Sequence, residues 1–172
     1  MQDDESGLVR AQSRLMMEAA SEAYASSPRS DQFVSRATSG QIAAVNFNCF
    51  VCGPYNHVGL RLTFENSSNG VDAIWVPNES TESFPETVHG GLIMSVLDEA
   101  MSKAIMARGW QAFTVSMNVR FHSRTSPGER LRVRGWIVEQ RKRRILTEAS
   151  LLTDTEMERS HAWATFLIPK RF

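Results

Sequence analysis

The sequence predicts an α+β domain in which one long, buried helix lies against one antiparallel sheet. Three observations predict it. Residues 92–107 place apolar side chains on most sides of a helical wheel, six short segments alternate in the manner of strands, and short turn-rich connections join most of those segments. A chain of 172 residues holds core enough for one such domain without staples.

Residues 1–47 differ in texture. They are rich in Ser, Ala and charge, and they form an N-terminal leader, partly helical or disordered. LVRAQSRLMMEAASEAYA can form a helix with Leu8, Leu15, Met16 and Ala19 on one side, and SSPRSDQ breaks it. The domain proper spans 48–172. LRLTFE (60–65) and VDAIWV (71–76) read as strands joined by the turn signal NSSNG. PNESTESFPET reads as a loop. The helix follows and stops near Arg108 and Gly109. In FTVSMNVRF (113–121), Phe113, Val115, Met117, Val119 and Phe121 share one face. LRVRGWIVE (131–139), RILTEASLL (144–152) and SHAWATFLI (160–168) are three more strands, whose short connections predict an antiparallel meander.

Composition excludes several functions. Nineteen basic residues balance nineteen acidic ones, which argues against a nucleic-acid surface. No apolar run approaches the roughly 20 residues that span a bilayer. The acidic start MQDDES is unlike a secretory or mitochondrial signal, and the expectation is a soluble cytoplasmic protein. Cys49 and Cys52 make no disulfide framework. With His57 they are three ligands where structural zinc takes four, and no second CxxC occurs; the expectation is no metal and no cofactor, with both thiols buried in the turn before the first strand.

On the wheel, Leu92, Val96, Ala100, Ala104 and Ala107 fall together, flanked by Ile93 and Leu97. Nearly opposite lie Met94, Asp98, Met101 and Ile105, a second apolar strip interrupted by one acid. It needs another subunit or a ligand. Ser95, Glu99, Ser102 and Lys103 form the wet sector, with Glu99 and Lys103 spaced as a surface ion pair. Asp98 is then buried, which is costly without a partner and raises a carboxyl pKa. His89-Gly90-Gly91 opens the helix. The first amides of a helix lack intrahelical partners and carry partial positive charge, and glycine lets an oxygen approach them. For the pair of glycines alone, a role in shaping the entry turn is the better reading.

HGG, an acid nine residues after the His, the strand SMNVRFHSRTSPGE and the start CFVCGPYNHVGLRL together resemble the PaaI-like hotdog-fold acyl-CoA thioesterases, over residues 48–169 or so. The resemblance implies a long central helix wrapped by a curved antiparallel sheet of about six strands, and a homodimer or dimer-of-dimers tetramer with active sites at the subunit interface. It implies hydrolysis of an acyl-CoA to free acid and CoA. By it, Gly90 or Gly91 polarises the thioester carbonyl, Asp98 is general base or nucleophile, and His89 orients the loop. Some relatives carry Asn or Gln shortly before HGG; Glu82 and Ser83 stand there and bear on substrate preference. Asn118, off the apolar face of its strand, lines the interface cleft or merely faces water. Arg143, in the run Arg141-Lys142-Arg143-Arg144, belongs to a solvated hairpin tip or a grip on the CoA phosphates. Trp110 and Phe113 wall an acyl pocket or are plain core, and His122 and His161 are structural. The competing functions are a non-catalytic acyl-CoA-binding protein and an enoyl-CoA hydratase or dehydratase on the same fold. Acyl length and type and the pathway are not legible.

Overall fold

Alternating apolar residues build the sheet. A computed structural model describes residues 46–170; the helical reading of residues 8–25 lies outside them. The strands are β1 (Phe64–Ser67), β2 (Gly70–Trp75), β3 (Glu82–Phe84), β4 (Thr87–Val88), β5 (Phe113–Phe121), β6 (Leu131–Arg141), β7 (Arg144–Thr153) and β8 (Glu158–Leu167), and the helix α1 is Gly90–Met106. Six strands form one sheet in the order β1-β2-β6-β7-β8-β5, each neighbouring pair antiparallel. The inward residues Val71, Ala73, Leu131, Val133, Ala149, Leu151, Ala162 and Phe166 are buried under α1. This is the hotdog arrangement of a helix wrapped by a curved sheet.

β6, β7 and β8 form the expected meander, but β5 does not join it. It pairs with β8 at the far edge, and β6 pairs with β2. The helix between β4 and β5 carries the chain across the sheet, so strands distant in sequence meet. Residues 60–63 are not in the ladder, because Arg61 has φ 53 and the amides of Leu60 and Leu62 bond the carbonyls of Phe50 and Val51. The loop before the helix holds a small hairpin, β3–β4, and a 3-10 turn at Glu79–Thr81.

Gly135 on β6 sets how closely helix and sheet approach. A Cβ there would lie 2.4 Å from the Ala100 carbonyl oxygen and 3.0 Å from the Ala100 Cβ. Small residues on both elements let α1 sink onto the sheet, and Val96, Leu97, Ala100 and Met101 are fully covered. The wheel placed the main stripe correctly, but of the second strip Met101 and Ile105 are buried within the single chain and need no other subunit or ligand, and two further positions differ. Ala107 is exposed, since the helix has already ended at Met106 and Gly109 (φ 79) turns the chain. Lys103, expected in water, is 1 % exposed. No helix among the described residues is long and apolar enough to cross a membrane.

Candidate active site

The start of α1 is built from local bonds. The imidazole of His89, the N-cap residue, accepts from the Gly91 amide through Nδ1 at 2.9 Å. The His89 carbonyl accepts from Leu92 (2.9 Å) and Ile93 (3.3 Å), and the His89 amide donates to Thr81 at 2.8 Å. Among the described residues, the Gly90 amide is thus the one in this first turn left without a partner. A Cβ at Gly90 would touch only the Phe121 ring, at 3.4 Å. Of the two glycines, Gly90 therefore offers the open donor, and Gly91 is occupied by its own histidine.

Asp98 is half-buried two turns further along, and the Thr114 hydroxyl donates to its Oδ1 at 2.7 Å. Desolvation raises its pKa above the ordinary aspartate value; the Thr114 bond opposes the rise and the charge of Glu99 adds to it. Thr114 was missed in the sequence because strict alternation puts it outside. A bulge lies between Thr114 and Ser116. Before it, Thr114 shares the helix-facing side with its partner Phe166, which is buried, while Thr114 itself stays exposed in the single chain. After it, Met117 and Val119 face inward, opposite Ala164 and Ala162. The bulge also turns Phe113 out, where it is exposed.

Eight residues of helix separate Gly90 from Asp98, about 12 Å at 1.5 Å per residue. One chain does not bring the two onto one carbonyl. Phe84, Met94 and Phe121 are exposed at 74 %, 39 % and 48 %, three apolar residues on the elements around the helix start that a single chain covers only in part. A groove of about 650 Å³ lies elsewhere, between residues 58–65 and β2, and neither Gly90 nor Asp98 lines it.

The remaining candidates divide. Glu82 sits opposite Val88 in the β3–β4 hairpin beside the helix start, and its Oε1 accepts from the Glu86 amide at 2.9 Å. Ser83 is its exposed neighbour. Asn118 lies on the outer face, opposite Trp163, away from Asp98 in its own chain. Arg143 is in the β6–β7 hairpin tip, where Lys142 has φ 55. His161 contacts Ser150 (3.1 Å) and Glu158 (3.0 Å), and His122 approaches Glu158 at 3.3 Å, an outer-face network. Cys49 and Cys52, expected to be buried, are only partly so; their companion is Glu99, and His57 is exposed. Burial first, then the Glu99 carboxylate, push the Cys52 thiol far above its usual range.

Residues 86–159, which contain Gly90, Asp98 and Thr114, match the family model of the thioesterase superfamily. Comparison with curated protein sequences finds no match. Among solved structures, a thioesterase superfamily protein is 20% identical, with 97% of this chain and 81% of that one covered and a TM-score of 0.69. The E. coli PaaI protein of the phenylacetic acid degradation operon is 15% identical, over 63% of this chain and 83% of that one, with a TM-score of 0.59. A Streptococcus mutans protein solved bound to acetyl CoA is 17% identical, over 64% and 91%, with a TM-score of 0.59. At these identities the likeness is one of fold. The thioesterase superfamily match thus falls on the helix and its flanking strands, and the sheet order and the solved structures show the hotdog fold.

Proposed function

We propose that the protein hydrolyses acyl-CoA thioesters at a site shared by two copies of the chain. The observation that carries this is one helix bearing, about 12 Å apart, an unpartnered amide at Gly90 and a desolvated acid at Asp98. Two-fold pairing sets the Gly90 of one copy against the Asp98 of the other. The thioester oxygen accepts from Gly90. A water oxygen attacks the carbonyl carbon while Asp98 takes its proton. The C–S bond breaks, and the CoA thiolate leaves and is reprotonated. Asp98 attacking directly, with water cleaving the resulting anhydride, ends in the same products. One oxyanion donor contributes about 3 kcal/mol and a general base about 10²–10⁴-fold, which suffices with a thiolate leaving group.

Acyl-CoA as the substrate class is supported by the CoA ligand of the Streptococcus mutans structure. Ser83 and Glu82, beside the helix start, are the proposed acyl-entry contacts; Arg143 is proposed for the CoA phosphates, and Asn118 for the cleft toward a neighbouring copy. Hydration of an enoyl thioester would need a histidine free to face the acid, and the His89 ring is already engaged with Gly91. The test is thiol release over a panel of aliphatic and aromatic acyl-CoAs. Asp98→Asn is expected to lose at least about a hundredfold in kcat while keeping fold and oligomeric state. Normal turnover in that variant overturns the assignment. Acyl-CoA binding without thiol release in the wild type identifies a binding protein, and loss of an enoyl double bond a hydratase.

A further inference from the structure

Two thiols and a carboxylate from separate parts of the chain converge beside α1. Cys49 and Cys52 come from the loop before β1, and Glu99 comes from the helix. Their nearest ligand atoms all lie within 4.8 Å of one another. Cys49 Sγ is 3.8 Å from Glu99 Oε2. Donors around one tetrahedral ion, with bonds near 2.0–2.3 Å, sit about 3.5 Å apart, so that pair is already close to bridging distance. A side-chain rotation closes the rest.

The loop presents the thiols on a rigid turn. The Gly53 amide donates to the Cys49 carbonyl at 2.9 Å, and the Cys49 amide to Asn46 at 3.0 Å. A Cβ at Gly53 would lie 2.4–2.6 Å from Cys49 N, Cys49 O and Phe47 O, so only glycine closes this turn. The following residues are tied back through Leu60 to Phe50 and Leu62 to Val51, both 2.8 Å.

Charge is balanced as well. Lys103 is buried, with Nζ 3.6 Å from Glu99 Oε1. Two thiolates, a carboxylate, a divalent ion and this ammonium sum to zero, the condition for keeping charges in a low-dielectric place. A lysine ion-paired with Glu99 also keeps the metal-free cluster neutral.

We propose that Cys49, Cys52 and Glu99 bind a thiolate-preferring divalent cation, Zn²⁺ foremost, which pins the 46–53 loop to the helix. Each thiol releases its proton to solvent on ligation, and no electrons move. Three protein donors leave one tetrahedral position for water. The site does not depend on the proposed hydrolysis.

The test is Co²⁺ titration of the untagged full-length chain under reducing conditions. A thiolate-to-cobalt charge-transfer band in the near ultraviolet, saturating at one ion per chain and displaced by Zn²⁺, is expected. Cys49→Ser and Cys52→Ser should each lower the affinity at least about tenfold, Glu99→Gln should shift the visible bands, and His57→Ala should change nothing. Zn²⁺ should raise the Tm of the wild type, with the increment lost in the serine variants. A wild-type chain that gives no charge-transfer band overturns the proposal, and so does a Cys52→Ser chain that binds Co²⁺ with wild-type affinity and band intensity. The wild-type titration decides by itself should a serine variant fold poorly.

Discussion

The pKa of Asp98 is set by influences acting in opposite directions. Burial raises its pKa, and the Thr114 hydroxyl lowers it. For the proposed general base the ionised form is active, so activity is lost as pH falls through the raised value. Thr114→Val removes the bond that favours the carboxylate. The acid limb of kcat/KM should then move to higher pH, and the plateau rate should fall less than in Asp98→Asn. An unmoved limb would separate Thr114 from the working acid. The Asp98 position was legible in the sequence because a lone acid interrupted an apolar helical strip. Thr114 was not legible, because a single bulged residue reverses which side chains of β5 face inward, and no residue type in FTVSMNVRF marks it.

The helix start is the element on which the catalytic proposal turns, and its geometry allows a narrow test. Gly90 is the first helical residue, where proline is tolerated because that amide has no intrahelical partner. His89, with φ −61 and ψ 124, already has the extended conformation that precedes proline. Gly90→Pro should therefore delete the proposed donor and leave the helix intact, lowering kcat by about 10²–10³-fold with an unchanged circular dichroism spectrum. Mixing refolded Gly90→Pro and Asp98→Asn chains should restore about a quarter of wild-type activity, since half the dimers then carry one complete site of two. No recovery would place amide and acid in the same copy.

Across the whole molecule, closeness of helix and sheet is the controlling dimension. It rests on Gly135 against Ala100. Gly135→Ala must lift α1 or bend β6, and should destabilise the chain by about 1–3 kcal/mol, seen as a lower denaturant midpoint with unchanged slope. A neutral effect would mean that the contact is looser than the 2.4 Å approach implies. Much of the molecule could be read in one dimension. Periodicity revealed six strands and one helix apolar on most sides, the HGG opening located the helix tip, and the spacing to Asp98 placed an acid where neighbours are dry. Those features are local, set by residues within a turn or a strand of each other. Three-dimensional packing decided that β5 closes onto β8, that a bulge turns Thr114 to Asp98, and that Lys103 is buried with Glu99 beside two thiols. Each of these depends on what a residue meets from a distant part of the chain, and a period of 2.0 or 3.6 carries no record of that partner.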